Sequence, residues 1–294
     1  MSVRECVSVV IVNYNVRDLL DRALRSLYET AEPFLREIWV VDNASTDNSV
    51  EFLKNHWPQV NVISNDENCG YGRANNQAMA RSEAKYVLIL NPDTVVQRGA
   101  LQDLVDFMES RPQAGVSGPK IVSPEGRFRP ECRRGFPTPL AAFSRLFGLS
   151  TLLPRSRLFG KYYLTYLDPD YETQVDALSG ACMMVRREAA QSVGPFDENY
   201  FLYGEDIDWC WRMKQAGWEV WYIPRASVMH VKGASMRRSL GRPDRFFFDS
   251  MRIFVRKHLR DKYPPPLLWL LDTGIHLRYF LGFLSPWFRK AGRS

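Results

Sequence analysis

The chain has 294 residues, of which 45% are apolar, 24% charged and 13% aromatic. That composition buries a core, which excludes global disorder, and five scattered cysteines without a Cys-x-x-Cys pair exclude a disulfide scaffold or a zinc knuckle. A net charge of +6 suits anionic partners such as nucleotides, phospholipids or nucleic acid and does not choose among them. The opening residues lack the apolar core of a signal peptide, and no run of about 18 apolar residues predicts a membrane span. Both point to a cytoplasmic protein.

Val7 to Val12 is a continuous apolar-biased run that ends at Asn13-Tyr14-Asn15, as expected of a buried parallel strand. Leu19, Leu20, Ala23, Leu24, Leu27 and Tyr28 then recur at helical spacing. Glu37 to Val41 predicts a second strand stopping at Asp42-Asn43, and Asp47 or Ser45 is positioned to cap a helix with Val50, Leu53 and Trp57 inward. Val60 to Ser64 predicts a third strand, followed by the glycine-rich turn Asn68-Cys69-Gly70-Tyr71-Gly72 and a helix over Ala74 to Ala80. Tyr86 to Leu90 predicts a fourth strand, running into Asn91-Pro92-Asp93-Thr94, with a helix through Leu101, Leu104, Val105 and Met108. Fourfold alternation of strand and helix predicts an α/β fold: a single open, mostly parallel, twisted sheet flanked by helices. Polar residues at the strand ends then mark the ligand edge of such a sheet.

Beyond this, Ala114 to Val122 reads as a strand broken at Gly118-Pro119. Residues 123–172 lose periodicity and gather Pro, Gly, Arg and aromatics, as an insertion or lid would. Strand character returns over Val175 to Val185, interrupted at Ser179-Gly180; Ile207 to Gln215 is helical with Gly217 as a stop, and Trp218 to Ile223 alternates as a strand. Residues 1–240 form one domain on this reading, and 241–294 a helical extension broken at Pro264-Pro265-Pro266 and Pro286. Arginine clusters at 127–134 and 237–245, with further basic residues at 252–262, read either as solvated faces or as contacts for a diphosphate or an anionic surface. No Gly-x-Gly-x-x-Gly follows the first strand, and no P-loop exists.

Six segments in order resemble family 2 glycosyltransferases: Val9 to Asn15; Val40 to Asp47; Asn65 to Asn76; Leu88 to Thr94; Gly180 to Arg187; and Gly194 to Glu198 leading into Phe201 to Cys210. The similarity is nearest to bacterial rhamnosyltransferase-like members that build cell-wall or surface polysaccharide. The resemblance implies a GT-A fold, a nucleoside diphosphate sugar donor with dTDP-rhamnose favoured, and inversion at the anomeric carbon. It also implies Mn2+ or Mg2+ under the diphosphate, and a glycan or polyprenyl-linked acceptor rather than nucleic acid.

The same matching assigns roles. Asp93 is the metal carboxylate, with Asn91 where the family usually has a first Asp; capping the next helix is the competing role. Asp42 meets the donor base, with Asn43 shaping its loop, and Asn13, Tyr14 and Asn15 lie beside it at the first strand end. Asn68, Gly70 and Asn75 line the third turn near nucleotide or sugar. Asp206 is the general base, with Glu205 and Asp208 as fallbacks, although acids at a helix start also compensate its dipole. Asp208 and Arg212 are spaced as a local i,i+4 pair. His230 joins the metal or is structural, and Arg237, with Lys232 and Arg238, meets the diphosphate. Cys182 and Cys210 read as buried apolar fillers. The tail, Leu267 to Phe288, reads as an interfacial membrane segment on the inner face of the cell membrane, or as a helix packed on protein. The rival functions are a nucleotidyltransferase, which would need a glycine-rich phosphate loop after the first strand, and a non-catalytic glycan-binding protein with a degenerate site.

Overall fold

The computed structural model describes residues 5–146, 148–153, 155–231 and 243–277. The apolar run at the start forms β1 (Val7–Asn13), followed by α1 (Arg17–Ala31), β2 (Leu35–Asp42), α2 (Ser49–His56) and β3 (Asn61–Ser64). Then come α3 (Tyr71–Met79), β4 (Tyr86–Leu90), β5 (Thr94–Val96), α4 (Ala100–Ser110) and β6 (Ala114–Val122). The order of the main sheet is β3-β2-β1-β4-β10-β6-β11-β5. Here β10 is Cys182–Arg186 and β11 is Glu219–His230. β3, β2, β1 and β4 run parallel, while β10 is antiparallel to both β4 and β6. The chain leaves β1 toward β2 and β3, then returns to pair β4 on the other side of β1. The crevice of an open α/β sheet opens at the strand ends beside such a reversal.

Both faces of this sheet are covered, which is why β1 is buried throughout and mostly apolar. Val10 and Val12 face one cluster with Ala74, Ala78, Ile89 and Trp209, whereas Val9 and Ile11 face another with Leu20, Leu24, Leu88 and Leu104. Leu24 is fully buried in the second cluster. Leu24→Ala would cost about 2–5 kcal/mol through lost burial and the cavity left behind.

Several expectations are revised. β6 is continuous through Gly118-Pro119; the irregularity falls instead on its partner, where the register jumps between Ile223 and Ser227 of β11. α3 begins at Tyr71, because Gly70 at φ 87 starts the helix directly from the turn. Neither Asp47 nor Ser45 is the N-cap of α2, which is Asn48. The Asp47 carboxylate accepts the backbone N–H of Arg17 at 2.8 Å and of Ser49 at 3.2 Å, joining the starts of α1 and α2.

The 123–172 segment carries β7 (Arg133–Arg134) and the short helices α5 (Pro139–Leu146) and α6 (Leu149–Leu152). β7 pairs antiparallel with β9 (Ala177–Leu178), which follows β8 (Thr173–Gln174). Arg133 of this segment is buried, donates to the carbonyls of Leu167 and Asp168, and lies over Phe128 and Tyr222. It is therefore internal scaffolding and not an anion contact.

After α7 (Arg187–Val193) and α8 (Glu205–Gln215), β11 crosses the sheet. α9 (Pro243–Phe254) continues through a π turn at Val255–Leu259, and a further helix occupies 265–277. The expected break at Pro264-Pro265-Pro266 is the start of that helix; Pro286 lies outside the described residues. Part of the late basic cluster is also spent internally. Lys257 pairs with Asp197 and Asp208, and Arg252 with Asp272. Among the described residues no helix is long and apolar enough to cross a membrane.

Candidate active site

The parallel register sets Asn13 opposite Asp42. Asn13 Nδ2 donates to Asp42 Oδ2 at 2.8 Å, and the Ser45 N–H donates to Asp42 Oδ1 at 2.8 Å. Both side chains are buried. The fixed carboxylate retains a lone pair on each oxygen, and Asn13 Oδ1 has no partner among the described residues. Asn15 turns the chain at φ 57, and its Oδ1 accepts the Thr46 N–H at 2.7 Å. Tyr14 is half-buried between them. Asn43 Nδ2 reaches Asn68 Oδ1 and the Gly70 carbonyl, both at 3.3 Å, and the Gly70 N–H donates to Asn68 Oδ1 at 3.0 Å. The ends of β1, β2 and β3 are thus joined into one polar shelf. Asn75 stands apart from that turn: it is buried on α3, where its Nδ2 donates to the Tyr71 carbonyl at 2.9 Å.

Asp93 and His230 are 137 residues apart in sequence, and His230 Nε2 lies 2.9 Å from Asp93 Oδ1. β5 causes the meeting. It follows Asp93 at once and pairs antiparallel with the end of β11, with Thr94 opposite His230, while the Val231 N–H donates to the Asp93 carbonyl at 2.8 Å. A carboxylate and an imidazole at a sheet edge fit a divalent cation completed by phosphate oxygens and water. Among the described residues no cluster of three or more His, Cys, Asp or Glu side chains forms a closed metal cage. Arg237, Lys232 and Arg238 lie outside the described residues.

Tyr71 links this pair to the start of α8. Its hydroxyl lies 2.8 Å from the Gly180 carbonyl and 3.1 Å from Asn91 Oδ1. Burial, then the nearby Glu205, Asp206 and Asp93 carboxyls, push the phenol well above its ordinary pKa.

Glu205 and Asp206, at the first turn of α8, occupy contrasting environments. Asp206 Oδ2 accepts from the Gly180 N–H at 2.9 Å and from the Arg134 guanidinium, and Oδ1 accepts the Ile207 N–H at 2.8 Å. Glu205 is 5% exposed, and its Oε2 has no partner among the described residues. Burial and then the adjacent Asp206 raise the Glu205 pKa above the usual carboxylate range. Asp206 is thus held by three donors, whereas its neighbour Glu205 keeps an oxygen without a partner among the described residues.

Asp208 is pinned on the far side of the helix. It is fully buried and receives Arg212 Nε at 2.9 Å, Lys257 Nζ at 2.8 Å and His258 Nε2 at 2.7 Å. Burial alone would raise its pKa, but the His258, Lys257 and Arg212 contacts outweigh that and hold it at about 2. The Arg212 pair was legible from the spacing, and the attachment to the π turn was not. Cys182 and Cys210 are buried and free, and burial pushes both thiols to about 12, as fillers and not nucleophiles.

The doubly covered, mostly parallel sheet is that of GT-A glycosyltransferases, and it carries the Asp–His pair and the acidic start of α8 at its strand ends. Residues 8–194 match the model of Glycosyl transferase family 2, and the chain belongs to that family. It is 32% identical over 297 residues to the N-acetylglucosaminyl-diphospho-decaprenol L-rhamnosyltransferase of Mycobacterium tuberculosis, covering 97% of this chain and 95% of that one. It is 27% identical to the rhamnosyltransferase WbbL of Escherichia coli, covering 86% of this chain and 94% of that one. In fold it is similar to the mannosyltransferase PcManGT of Pyrobaculum calidifontis, solved with GDP-Man and Mn2+. The TM-score is 0.59 at 20% identity, over 97% of this chain and 72% of that one.

Proposed function

We propose that the chain transfers a sugar, with rhamnose favoured, from a nucleoside diphosphate donor such as dTDP-rhamnose to a hydroxyl of a lipid-linked glycan, inverting the anomeric carbon. The names of the two rhamnosyltransferase relatives support the sugar, and the decaprenol-linked substrate in one of them supports the acceptor class. The observation that carries the reading is the meeting of Asp93 with His230 at the strand edge, with Asp206 reached across Gly180 and Tyr71. Asn13, Asp42 and the shelf behind them receive the nucleoside, Asp42 with lone pairs for a base N–H. When bound, Mn2+ or Mg2+ at Asp93 and His230 would offset charge on the leaving diphosphate. The acceptor oxygen bonds to the anomeric carbon as the bond from that carbon to the diphosphate breaks. The electron pair leaves with the diphosphate, and the hydroxyl proton passes to Asp206. Burial pushes the Glu205 carboxyl upward, which disfavours a second charge beside Asp206. Trp269, Leu270 and Leu277 on the 265–277 helix are exposed and support a peripheral seat on anionic lipid, where such an acceptor resides.

Asp206→Asn tests the base. Turnover is expected to fall about 10²–10⁴-fold while donor affinity, read by calorimetry, is kept. Normal turnover of Asp206→Asn would refute the assignment, and loss in Glu205→Gln alone would move the base to that neighbour.

A further inference from the structure

Arg134 has no counterpart in the roles assigned above. It comes from the 123–172 segment, on β7, and the pairing of β7 with β9 puts Arg134 opposite Ala177. The turn after β9 contains Gly180. One small two-stranded sheet therefore delivers both donors that converge on Asp206 Oδ2: the Arg134 guanidinium and the Gly180 N–H. The Arg134 Nη2 that meets Asp206 also donates to the Leu178 carbonyl at 2.9 Å, which fixes the arginine to the same strand. Burial works against the guanidinium charge, and the Asp206 carboxylate offsets it.

Counting lone pairs gives the chemical consequence. An ionised carboxylate offers about four acceptor positions, two on each oxygen. On Oδ2 both are filled. On Oδ1 the Ile207 N–H fills one. A single acceptor position is left among the described residues, and it is on Oδ1.

We infer that Arg134 is a positioning residue for the general base: with Gly180 it clamps Oδ2 and leaves Oδ1 as the atom that takes the acceptor proton. The inference rests on the reading of Asp206 as the base. Glu205, Cys210 and Tyr71 are the other titratable groups that interact with Asp206, and all three are acids. Among the described residues Arg134 is the cation paired with this carboxylate. Removing it would leave this buried carboxylate without its cation.

The test is the single-turnover rate against pH, with nucleoside diphosphate sugar, Mn2+ and a fixed acceptor, for wild type, Arg134→Met, Arg134→Gln, Arg134→Lys and Asp206→Asn. An arginine beside a carboxylate typically lowers its pKa by about 1–3 units. The acidic limb of the rate should therefore move up by about one pH unit or more in Arg134→Met and Arg134→Gln, with donor affinity within about twofold of wild type. Arg134→Lys should return the limb most of the way while staying slower, because an ammonium lacks the planar fork. The shift should persist when Glu205→Gln is added, which assigns the limb to Asp206. A role confined to packing would slow all pH values alike. An unshifted limb in the neutral variants overturns the inference. Should those variants fail to fold, wild-type rate and limb in Arg134→Lys overturn it. Normal turnover in Asp206→Asn would instead sink the base assignment, so the two failures are distinct.

Discussion

Asp208→Asn separates the scaffold of the acidic helix from its chemistry. Asparagine keeps the shape of a fully buried side chain and removes the charge that Arg212, Lys257 and His258 share. A carboxyl whose pKa falls from 3.8 to about 2 on folding stabilises the fold by about 2 kcal/mol, since each unit is worth about 1.4 kcal/mol. Breaking a buried pair outright costs about 3–5 kcal/mol, so about 2–4 kcal/mol is expected at neutral pH, where the amide still accepts one bond. The sign is fixed by the depressed pKa. The contribution is fully present above about pH 4 and is lost as pH falls toward 2. Urea unfolding of both proteins between pH 7 and pH 2.5 reads this directly, and the stability gap should narrow as the acid is protonated. Turnover of the folded variant should stay within a few-fold of wild type. A gap under about 0.5 kcal/mol at pH 7, or one that is constant with pH, would refute the reasoning.

Three further outcomes are expected. Asp93→Ala and full chelation by EDTA should each nearly abolish transfer, and calorimetry should show donor affinity that no longer responds to Mn2+; transfer that survives chelation contradicts the cation's role. Gly70→Ala should destabilise the protein by about 1–3 kcal/mol, because at φ 87 the added Cβ would stand 2.7 Å from the Phe201 carbonyl oxygen; an unchanged melting temperature would show that the turn can relax. Protein ending at Tyr263 should keep transfer to soluble acceptors and stop sedimenting with anionic vesicles; equal sedimentation with the full chain would remove the tail's membrane role.

The parallel half of the fold was readable because its strands are buried on both faces and its helices carry regular apolar stripes. Part of the polar shelf was readable for the same reason, since Asn13 and Asp42 sit where strands rich in apolar residues stop. What was hidden depends on pairings distant in sequence. β5 has three residues and exists through β11, more than a hundred residues later, so the Asp93–His230 contact has no local sign and was expected from the family resemblance alone. Arg134 lies in a segment without periodicity and gains its meaning from pairing with β9. Tyr71 looked like part of a turn, and only the fold brings its hydroxyl to Gly180. The late basic residues suggested a surface for anions, whereas Lys257 and His258 are turned inward onto Asp208. A charge count cannot tell a solvated cation from one that holds a helix in place.

The most direct test of the central claim is the configuration of the product. The full chain, incubated with Mn2+, a panel of nucleoside diphosphate sugars and a diphospho-polyprenol-linked acceptor, should release nucleoside diphosphate with one donor. NMR of the new linkage should then show anomeric configuration opposite to that of the donor, as displacement with a base and no covalent intermediate requires. Retained configuration, or diphosphate release with the sugar passing to water alone, would contradict the account.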